Sequence, residues 1–222
     1  MFIGHYGPAF VAKAAVPRVP LWVLFVAAQW VDFLWSIFVI MGIEKVRIIA
    51  NFFGLSPLDL FYMPYSHGLP SAALLSLFIG GVVAVAFPGN RLAVVLAVAA
   101  TAFSHWLLDL VVHRPDLPLI FDQMKVGLGL WRYPLVSVPT EIGLMLLGLW
   151  IYDRAVPSPT RAGTIALWLF GFAMAALQIQ NTFFNEHPAS PAGFAQMALF
   201  GYLVLAVLAA VVDYLRKEKR PN

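Results

Sequence analysis

The sequence contains no cysteine and very little charge. Only 11% of its 222 residues are Asp, Glu, Lys or Arg, whereas about 25% is usual for a soluble domain. The absence of cysteine excludes disulfides, thiolate zinc sites and cysteine nucleophiles. In contrast, 61% of the residues are hydrophobic, and apolar runs of about 20 residues, the length that crosses a bilayer core, recur along the chain. The composition therefore predicts a polytopic membrane protein.

Several other features are also missing. The N-terminus MFIGHYGPAF has no basic start before an apolar core, so no cleavable signal peptide is predicted. There is no internal repeat, low-complexity tract or soluble domain, and the longest non-spanning stretch, 42–70, is too short to bury its own core. The net charge of +3 comes largely from RKEKR at 216–220, which predicts a membrane-surface anchor and no nucleic-acid partner. Residues 1–222 are predicted to form a single integral membrane domain.

The predicted fold is an all-α bundle of about six spanning helices. Breaks rich in Pro, Gly and charge separate spans at 21–41, 71–88, 92–112, 135–152, 163–183 and 194–215. Nine Lys and Arg lie on the side of the two termini and five on the other, which predicts cytoplasmic termini. His5 reaches an outer-facing site only if residues 2–16 enter the membrane as a short half-helix. The alternative is a site near the middle of the membrane.

The third span ends in FSHWLLDLVVHRPD, which is unusually rich in ionisable residues. On a helix turning by about 100° per residue, Asp109, His113 and Asp116 lie within about 80° of His105. An ionisable side chain at the bilayer centre costs about 2.5–3.5 kcal/mol and is expected to face a partner inside the bundle. His67, in PYSHGL just before the second span, can meet this stripe. The stripe is predicted to be either a structural His–Asp hydrogen bond or one wall of a metal site.

Imidazole and carboxylate together are the ligands that Zn²⁺ and other divalent transition ions select. Asp32, in the middle of the first span, is predicted to be a metal ligand, a carboxylate that orients a histidine, or the structural partner of a cation. Glu141 is a candidate general base or fourth-helix ligand, or else a carboxylate at the interface. Arg114 is a candidate to hold an anionic substrate such as a phosphate, the alternative being a cation that reaches lipid headgroups.

Two further residues receive structural predictions. Asp59 completes SPLD, which matches a capping box with proline at the first helical position, so a helix is predicted to start there. His187, in NEHP, is predicted to be a solvated loop histidine.

The motifs GHYGPAF, PYSHGL and SHWLLDLVVHRPD, on a chain with several spans, resemble those of bacterial membrane-bound metal-dependent hydrolases. The sequence is similar in outline to the LexA-binding inner-membrane hydrolases, over about residues 1–135. It departs from that pattern in having His5-Tyr6 for His-Arg and Tyr65-Ser66-His67-Gly68 for Thr-His-Ser. The resemblance implies a bacterial inner membrane. It also implies metal ligands at His5, His67, His105 and Asp109, with His113 and Asp32 as further candidates.

The expected function is hydrolysis of a lipid or lipid-linked ester or phosphoester. A divalent ion, zinc first, would activate water, and Asp109, Asp32 or Glu141 would take or relay the proton. The expected partners are membrane lipids and a lipid-like or anionic small molecule. Two alternatives stay open: a transporter or cation-conducting protein that uses the intramembrane His and Asp residues, and a subunit whose histidines hold a cofactor such as haem.

Overall fold

The computed structural model describes residues 1–184, 186 and 188–216, most of them helical. The helices are α1 (Tyr6–Ala15), α2 (Leu21–Ala28), α3 (Trp30–Ile40), α4 (Leu69–Ala84), α5 (Arg91–Val112), α6 (Pro134–Ala155), α7 (Arg161–Phe183) and α8 (Pro191–Leu215). The strands are β1 (Lys45–Phe53), β2 (Ser56–Tyr62), β3 (Leu117–Ile120) and β4 (Gln123–Val126). Short 3₁₀ turns at Ile3–His5, Pro88–Asn90 and Leu130–Arg132 lead into α1, α5 and α6.

Four helices, α5 to α8, are long and apolar enough to cross a bilayer, and α2 with α3 makes a fifth span if the bent pair is counted as one. The predicted span 71–88 corresponds to α4, which has only 16 residues, fewer than the roughly 20 that a span needs. The described residues therefore form an integral membrane protein with four to five spanning helices rather than six.

The first predicted span, 21–41, is broken in the middle. Helices α2 and α3 meet at an angle of 56°, and Gln29 between them leaves helical geometry. The break has local partners, because the Gln29 amide donates to the carbonyl of Phe2. A bent span with free backbone groups is tolerated where those groups are buried in protein or line a cavity.

Helix α1 corresponds to the short N-terminal helix that one of the two alternatives for His5 requires, and it lies inside the bundle. Gly7 of α1 and Gly148 of α6 let the two backbones meet, since a methyl group at either position would collide with the other helix. Small residues allow this close approach between helices in a membrane. The ring of Tyr6 stacks on Phe25 of α2 at 4.4 Å between ring centroids. This packing holds His5 in the interior, where it is fully buried.

Two antiparallel hairpins, β1–β2 and β3–β4, make the fold mainly helical rather than all-α. Asp59, predicted to begin a helix, lies in β2 opposite Arg47 of β1. The Ser56 hydroxyl does accept a hydrogen bond from the Leu58 backbone N–H, as a local turn would. However, pairing with β1 and the ion pair between Asp59 and Arg114 favour the extended chain.

Four charged side chains lie close together where α6 and α8 end. We call them the Lys13 cluster (Lys13, Asp153, Asp213 and Arg216). Lys13 Nζ is 3.0 Å from Asp213 Oδ1, and Arg216 Nη1 is 2.9 Å from Asp153 Oδ1. Arg216, predicted to belong to a surface anchor, is therefore buried and paired. The rest of that predicted anchor, at 217–220, and His187 lie outside the described residues.

Candidate metal centre

The carboxylate of Asp109 lies at the centre of the predicted histidines. Its Oδ2 is 3.2 Å from His105 Nε2, 3.6 Å from His67 Nε2 and 3.7 Å from His113 Nε2. His105, Asp109 and His113 follow one another at four-residue spacing along α5 and its C-terminal end, which places them on one face. His67 comes from the turn before α4, and all four side chains are buried.

The other oxygen of Asp109 faces the N-terminal segment. Oδ1 accepts a hydrogen bond of 2.5 Å from the amino group of Met1 and lies 3.1 Å from His5 Nε2. The rings of His5 and His105 are stacked, with their centroids 3.7 Å apart. The structure thus brings His5 to the same carboxylate as the three later histidines, through the short N-terminal helix.

Asp32 of α3 supplies a second carboxylate. Its Oδ1 lies 3.4 Å from His67 Nε2 and 3.5 Å from His105 Nε2. Its Oδ2 accepts a 2.9 Å hydrogen bond from the hydroxyl of Tyr202 on α8, which fixes the orientation of the carboxylate. The structure therefore places Asp32 beside two of the candidate histidines, where a metal ligand or a carboxylate that orients a histidine would lie.

Two of the imidazoles are held through Nδ1 by groups that can only accept. His105 Nδ1 lies 2.9 Å from the carbonyl of Ala28, at the break between α2 and α3. His113 Nδ1 lies 2.9 Å from Asp116 Oδ1. A carbonyl or an ionised carboxylate accepts only, so Nδ1 carries a hydrogen in both rings, and in the neutral form of each ring Nε2 presents a lone pair. This arrangement, with the outer nitrogen donating to an acceptor, is usual for metal-binding histidines.

His67 is held by a short chain of hydrogen bonds. The Ser66 hydroxyl donates to Glu44 Oε2 at 2.5 Å and therefore accepts from His67 Nδ1 at 2.8 Å. Glu44 is buried and also accepts from the backbone N–H groups of Tyr65 and Ser66. The Nε2 lone pair of His67 is consequently directed at Asp32 and Asp109.

An Nε2 lone pair that faces a carboxylate oxygen is repelled unless a cation lies between them. Among the described residues, His105 Nε2 and both ring nitrogens of His5 are buried with no partner in hydrogen-bond geometry. Such unsatisfied buried groups are costly. The two carboxylates of Asp32 and Asp109 also outnumber the single amino group of Met1. The centre therefore favours the binding of a cation, either a proton or a metal ion.

The electrostatics of His67 agree with this requirement. Burial lowers the pKa of His67, but hydrogen bonds and charge interactions with Asp109 and Asp32 outweigh it and raise the pKa to about 9. Without a metal, a proton meets the demand for positive charge at this position.

The geometry also fits a small divalent ion. Each Nε2 atom of His67 and His105 lies 3.2 to 3.6 Å from Asp32 Oδ1 and from Asp109 Oδ2. Bonds of about 2.0–2.2 Å at tetrahedral angles place ligand atoms roughly 3.3–3.6 Å apart. Two overlapping groups could hold an ion, one of His5, His105 and Asp109 and one of Asp32, His67 and His105. Because they share His105, the two groups lie next to each other.

A cavity of about 580 Å³ gives access to this centre. It is lined by Asp32, His67, Asp109 and His113 and by mostly apolar residues of α7 and α8. The volume is within the range of about 300–1,000 Å³ that is typical of small-molecule sites. An ion at the centre would therefore be within reach of a bound molecule.

Glu141 lines the same cavity but contacts other groups. Its Oε2 accepts a 2.7 Å hydrogen bond from the backbone N–H of Phe2, and its Oε1 lies 3.4 Å from Trp131 Nε1. Glu141 thus fastens the N-terminal segment beside the centre, and no described ion pair joins it to a histidine.

Arg114 is placed differently from the anion-holding role predicted for it. Its guanidinium pairs with Asp59 and Asp116 and lies over the ring of Phe52. It does not line the cavity. Since Asp116 in turn holds His113, Arg114 braces the histidine through a carboxylate rather than facing a substrate.

Sequence reasoning missed the groups that hold the histidines from behind. Glu44, Ser66 and the carbonyl of Ala28 were not among the candidates. Of the three, only Ser66 could have been found from the sequence, because it directly precedes the candidate ligand His67. Glu44 lies 22 positions before Ser66, and the role of a backbone carbonyl depends on a helix break that the composition of 21–41 conceals.

Comparisons of the chain with protein-family models, with curated proteins and with solved structures gave no match.

Proposed function

We propose that this protein is a metal-dependent hydrolase that acts on an ester or phosphoester in the membrane. One observation carries the proposal: Nε2 of His67 and Nε2 of His105 each lie 3.2 to 3.6 Å from a carboxylate oxygen of Asp32 and from one of Asp109, distances that suit two donors to the same small ion. The resemblance of the histidine motifs to those of membrane-bound hydrolases predicts the same chemistry.

Zinc is the ion that we propose for the centre. Its donors are nitrogen and oxygen, and sites of two histidines and a carboxylate are common in zinc hydrolases. Mg²⁺ and Ca²⁺ prefer sets made of oxygen alone, which this centre does not offer. His67, His105, Asp32 and Asp109 would hold the ion, with His5 beside them.

Zinc lowers the pKa of a bound water from about 15.7 to near 7 and so supplies a nucleophile at neutral pH. His113 is the residue that we assign to receive the proton, at Nε2. Its Nδ1 is fixed by Asp116, its Nε2 lies 3.7 Å from Asp109 Oδ2, and it lines the cavity. The water oxygen would bond to the carbonyl carbon or phosphorus, and the proton held by His113 would pass to the departing alkoxide oxygen.

The substrate that we propose is a lipid or lipid-linked molecule. The cavity joins polar groups at the centre to apolar residues of two spanning helices, which matches a molecule with a polar head and an apolar chain. With the C-terminus in the cytoplasm of a bacterial inner membrane, as the charge distribution and the resemblance predict, the end of α5 that carries the centre would lie toward the outer side. The N-terminal segment, whose Met1 amino group contacts Asp109, would then enter the membrane to reach it.

Metal analysis by mass spectrometry tests the proposal on detergent-purified protein. Wild type should carry close to one zinc per chain, whereas the His105→Ala, Asp109→Ala double variant should carry almost none. Ser104→Ala is the matched control, because its hydroxyl bonds only within α5, and it should retain the metal. Asp109→Asn serves if the double variant does not elute as a folded species.

Zinc retention should be followed by assays on phosphoesters and lipid esters. Hydrolysis by wild type that is lost in Asp109→Asn and in a chelator would support the proposal. Wild type that stays metal-free after reloading with zinc and manganese would overturn it, and the His–Asp contacts would then be structural or part of a proton path.

A further inference from the structure

The apolar part of the cavity lining forms a groove between α7 and α8. Met174 and Leu177 line it from α7, and Gly201, Leu205 and Leu208 line it from α8. These positions recur at helical spacing, so each helix contributes one continuous face. Both helices are long enough to span the bilayer. The groove therefore runs along the direction in which a lipid chain lies.

The groove is open to the bilayer on one side. Its rim residues Leu177 and Leu208 are exposed on the outer surface, whereas its floor residues Met174 and Leu205 are buried. The groove belongs to the same cavity that Asp32, His67 and Asp109 line. A molecule in the groove would thus have its apolar part toward the lipid and its polar part at the candidate metal centre.

Two polar side chains in the lining have a hydrogen-bonding atom without a partner among the described residues. They are Trp35, whose Nε1 is a donor, and Gln178, whose Oε1 is an acceptor. They are 3% and 4% exposed. Leaving such groups unpaired costs about 1–3 kcal/mol each. A bound molecule that carries both an acceptor and a donor would satisfy them.

We infer that the groove between α7 and α8 binds an acyl chain of a glycerolipid. In this arrangement Trp35 donates to an ester carbonyl oxygen, and Gln178 accepts from a hydroxyl of the headgroup or glycerol. The inference rests on the proposed hydrolase function for the placement of an ester beside the metal centre. The groove and its two unpartnered side chains exist independently of the metal.

Photo-cross-linking with phosphatidylglycerol that carries a diazirine in its acyl chain tests the inference. The protein is placed in vesicles of this lipid and phosphatidylcholine, irradiated, and mapped by mass spectrometry. Adducts are expected on the floor residues Met174 and Leu205, which lipid on the outer surface of the bundle does not reach.

Gly201→Leu should fill the groove without a collision, because no atom lies within 4 Å of the position that its Cβ would take. Floor adducts should fall by about tenfold or more, since several methylene contacts of the chain are lost. Gly143→Leu is the matched control. Gly143 also has open space around its Cβ, but it lies on α6 outside the cavity lining.

Gln178→Leu should lower the preference for phosphatidylglycerol over phosphatidylcholine by about threefold or more, because one hydrogen bond is lost. Gln180→Leu, on the exposed side of the same helix, should leave the preference unchanged. Adducts confined to outer surfaces, or equal floor labelling in Gly201→Leu and Gly143→Leu, would overturn the inference.

The labelling is repeated after treatment with a chelator, which separates the two proposals. Floor adducts in a protein that never binds metal would keep the lipid groove and remove the hydrolase. Metal binding and hydrolysis of a water-soluble ester, without floor adducts, would keep the hydrolase and remove the groove.

Discussion

The candidate metal centre and the Lys13 cluster are both groups of charged side chains inside the protein, but they differ in how their positive and negative charges balance. In the Lys13 cluster, the Lys13 ammonium donates to the carbonyls of Pro17 and Val19 and contacts Asp213. Arg216 donates to Asp153 and to the carbonyl of Val156. Among the described residues, two cations face two carboxylates, so these charges balance.

At the metal centre the balance is different. Asp32 and Asp109 face imidazoles whose Nδ1 hydrogens are directed away, toward Ala28, Ser66 and Asp116. The atoms that converge on the centre are therefore lone pairs and carboxylate oxygens. A structural contact between helices needs each buried cation to be paired with a carboxylate. A metal ion needs several lone pairs and carboxylate oxygens directed at one point.

Breaking the Lys13 cluster should give the largest effect on stability. Asp213→Ala would remove the carboxylate that lies 3.0 Å from the buried Lys13 ammonium, a change that costs about 3–5 kcal/mol of unfolding free energy. Thermal unfolding in detergent should show a clear fall in midpoint, with zinc per folded chain unchanged. Asp122→Ala, which removes the more exposed Lys125 pair, should cost at most about 1 kcal/mol. An equal fall in both variants would contradict the comparison.

Asp109→Asn should separate metal binding from stability. Zinc affinity should fall by more than about 100-fold, since a direct ligand contributes more than the 10–100-fold of an outer partner. With a chelator present to remove metal, the unfolding midpoint of Asp109→Asn should fall less than that of Asp213→Ala. The reason is that the amide of Asn fills the same space as the carboxylate and donates to an Nε2 lone pair. Competition with a zinc-binding dye gives the affinity. A midpoint loss as large as that of Asp213→Ala, with zinc retained, would assign Asp109 a structural role.

Ser66→Ala should sharpen the comparison further. It removes the acceptor that holds the Nδ1 hydrogen of His67 and leaves the buried Glu44 without its hydroxyl partner. Zinc affinity is expected to fall by about 10–100-fold. Ser71→Ala is the control, because Ser71 bonds to the carbonyl of Pro64 and makes no described contact with His67. Equal affinities of the two variants would show that His67 does not need this chain of hydrogen bonds.

Counted per pH unit, the smallest expected effect is the pH dependence of zinc binding. The pKa of His67 is raised to about 9 in the metal-free protein, so below that pH zinc must displace a proton. Affinity should therefore rise by about tenfold per pH unit from pH 7 toward 9 and level off above it. Titrations in buffers across this range measure the slope, and His67→Gln should flatten it. A wild-type slope of zero would mean that His67 binds no displaceable proton.

The sequence predicted the convergence of the histidines for a general physical reason. His105 and Asp109 lie on a spanning helix, where an ionisable group must face a partner, and the remaining partners were the few other polar residues of the membrane segments. The same logic placed Asp32 inside the bundle. It does not extend to Arg114, because its partner Asp59 lies in a hairpin whose strands were hidden by a capping pattern.

The break between α2 and α3 was equally hidden, since 21–41 contains no Pro or Gly that would mark Gln29 as an interruption. Glu44 was overlooked because its partners, Ser66 and Tyr65, are distant in sequence. Local pattern thus located the His and Asp residues of the candidate centre, while the groups that orient them depend on tertiary contacts.

The break at Ala28 also has a consequence for how the chain enters the membrane. Residues 21–40 leave the ribosome well before α5, yet the Ala28 carbonyl accepts its described side-chain hydrogen bond from His105 of α5. Until α5 is inserted, the first span holds a polar backbone group without that donor. We therefore expect the N-terminal part of the protein to mature late, with α5 acting as the helix that completes a span inserted long before it.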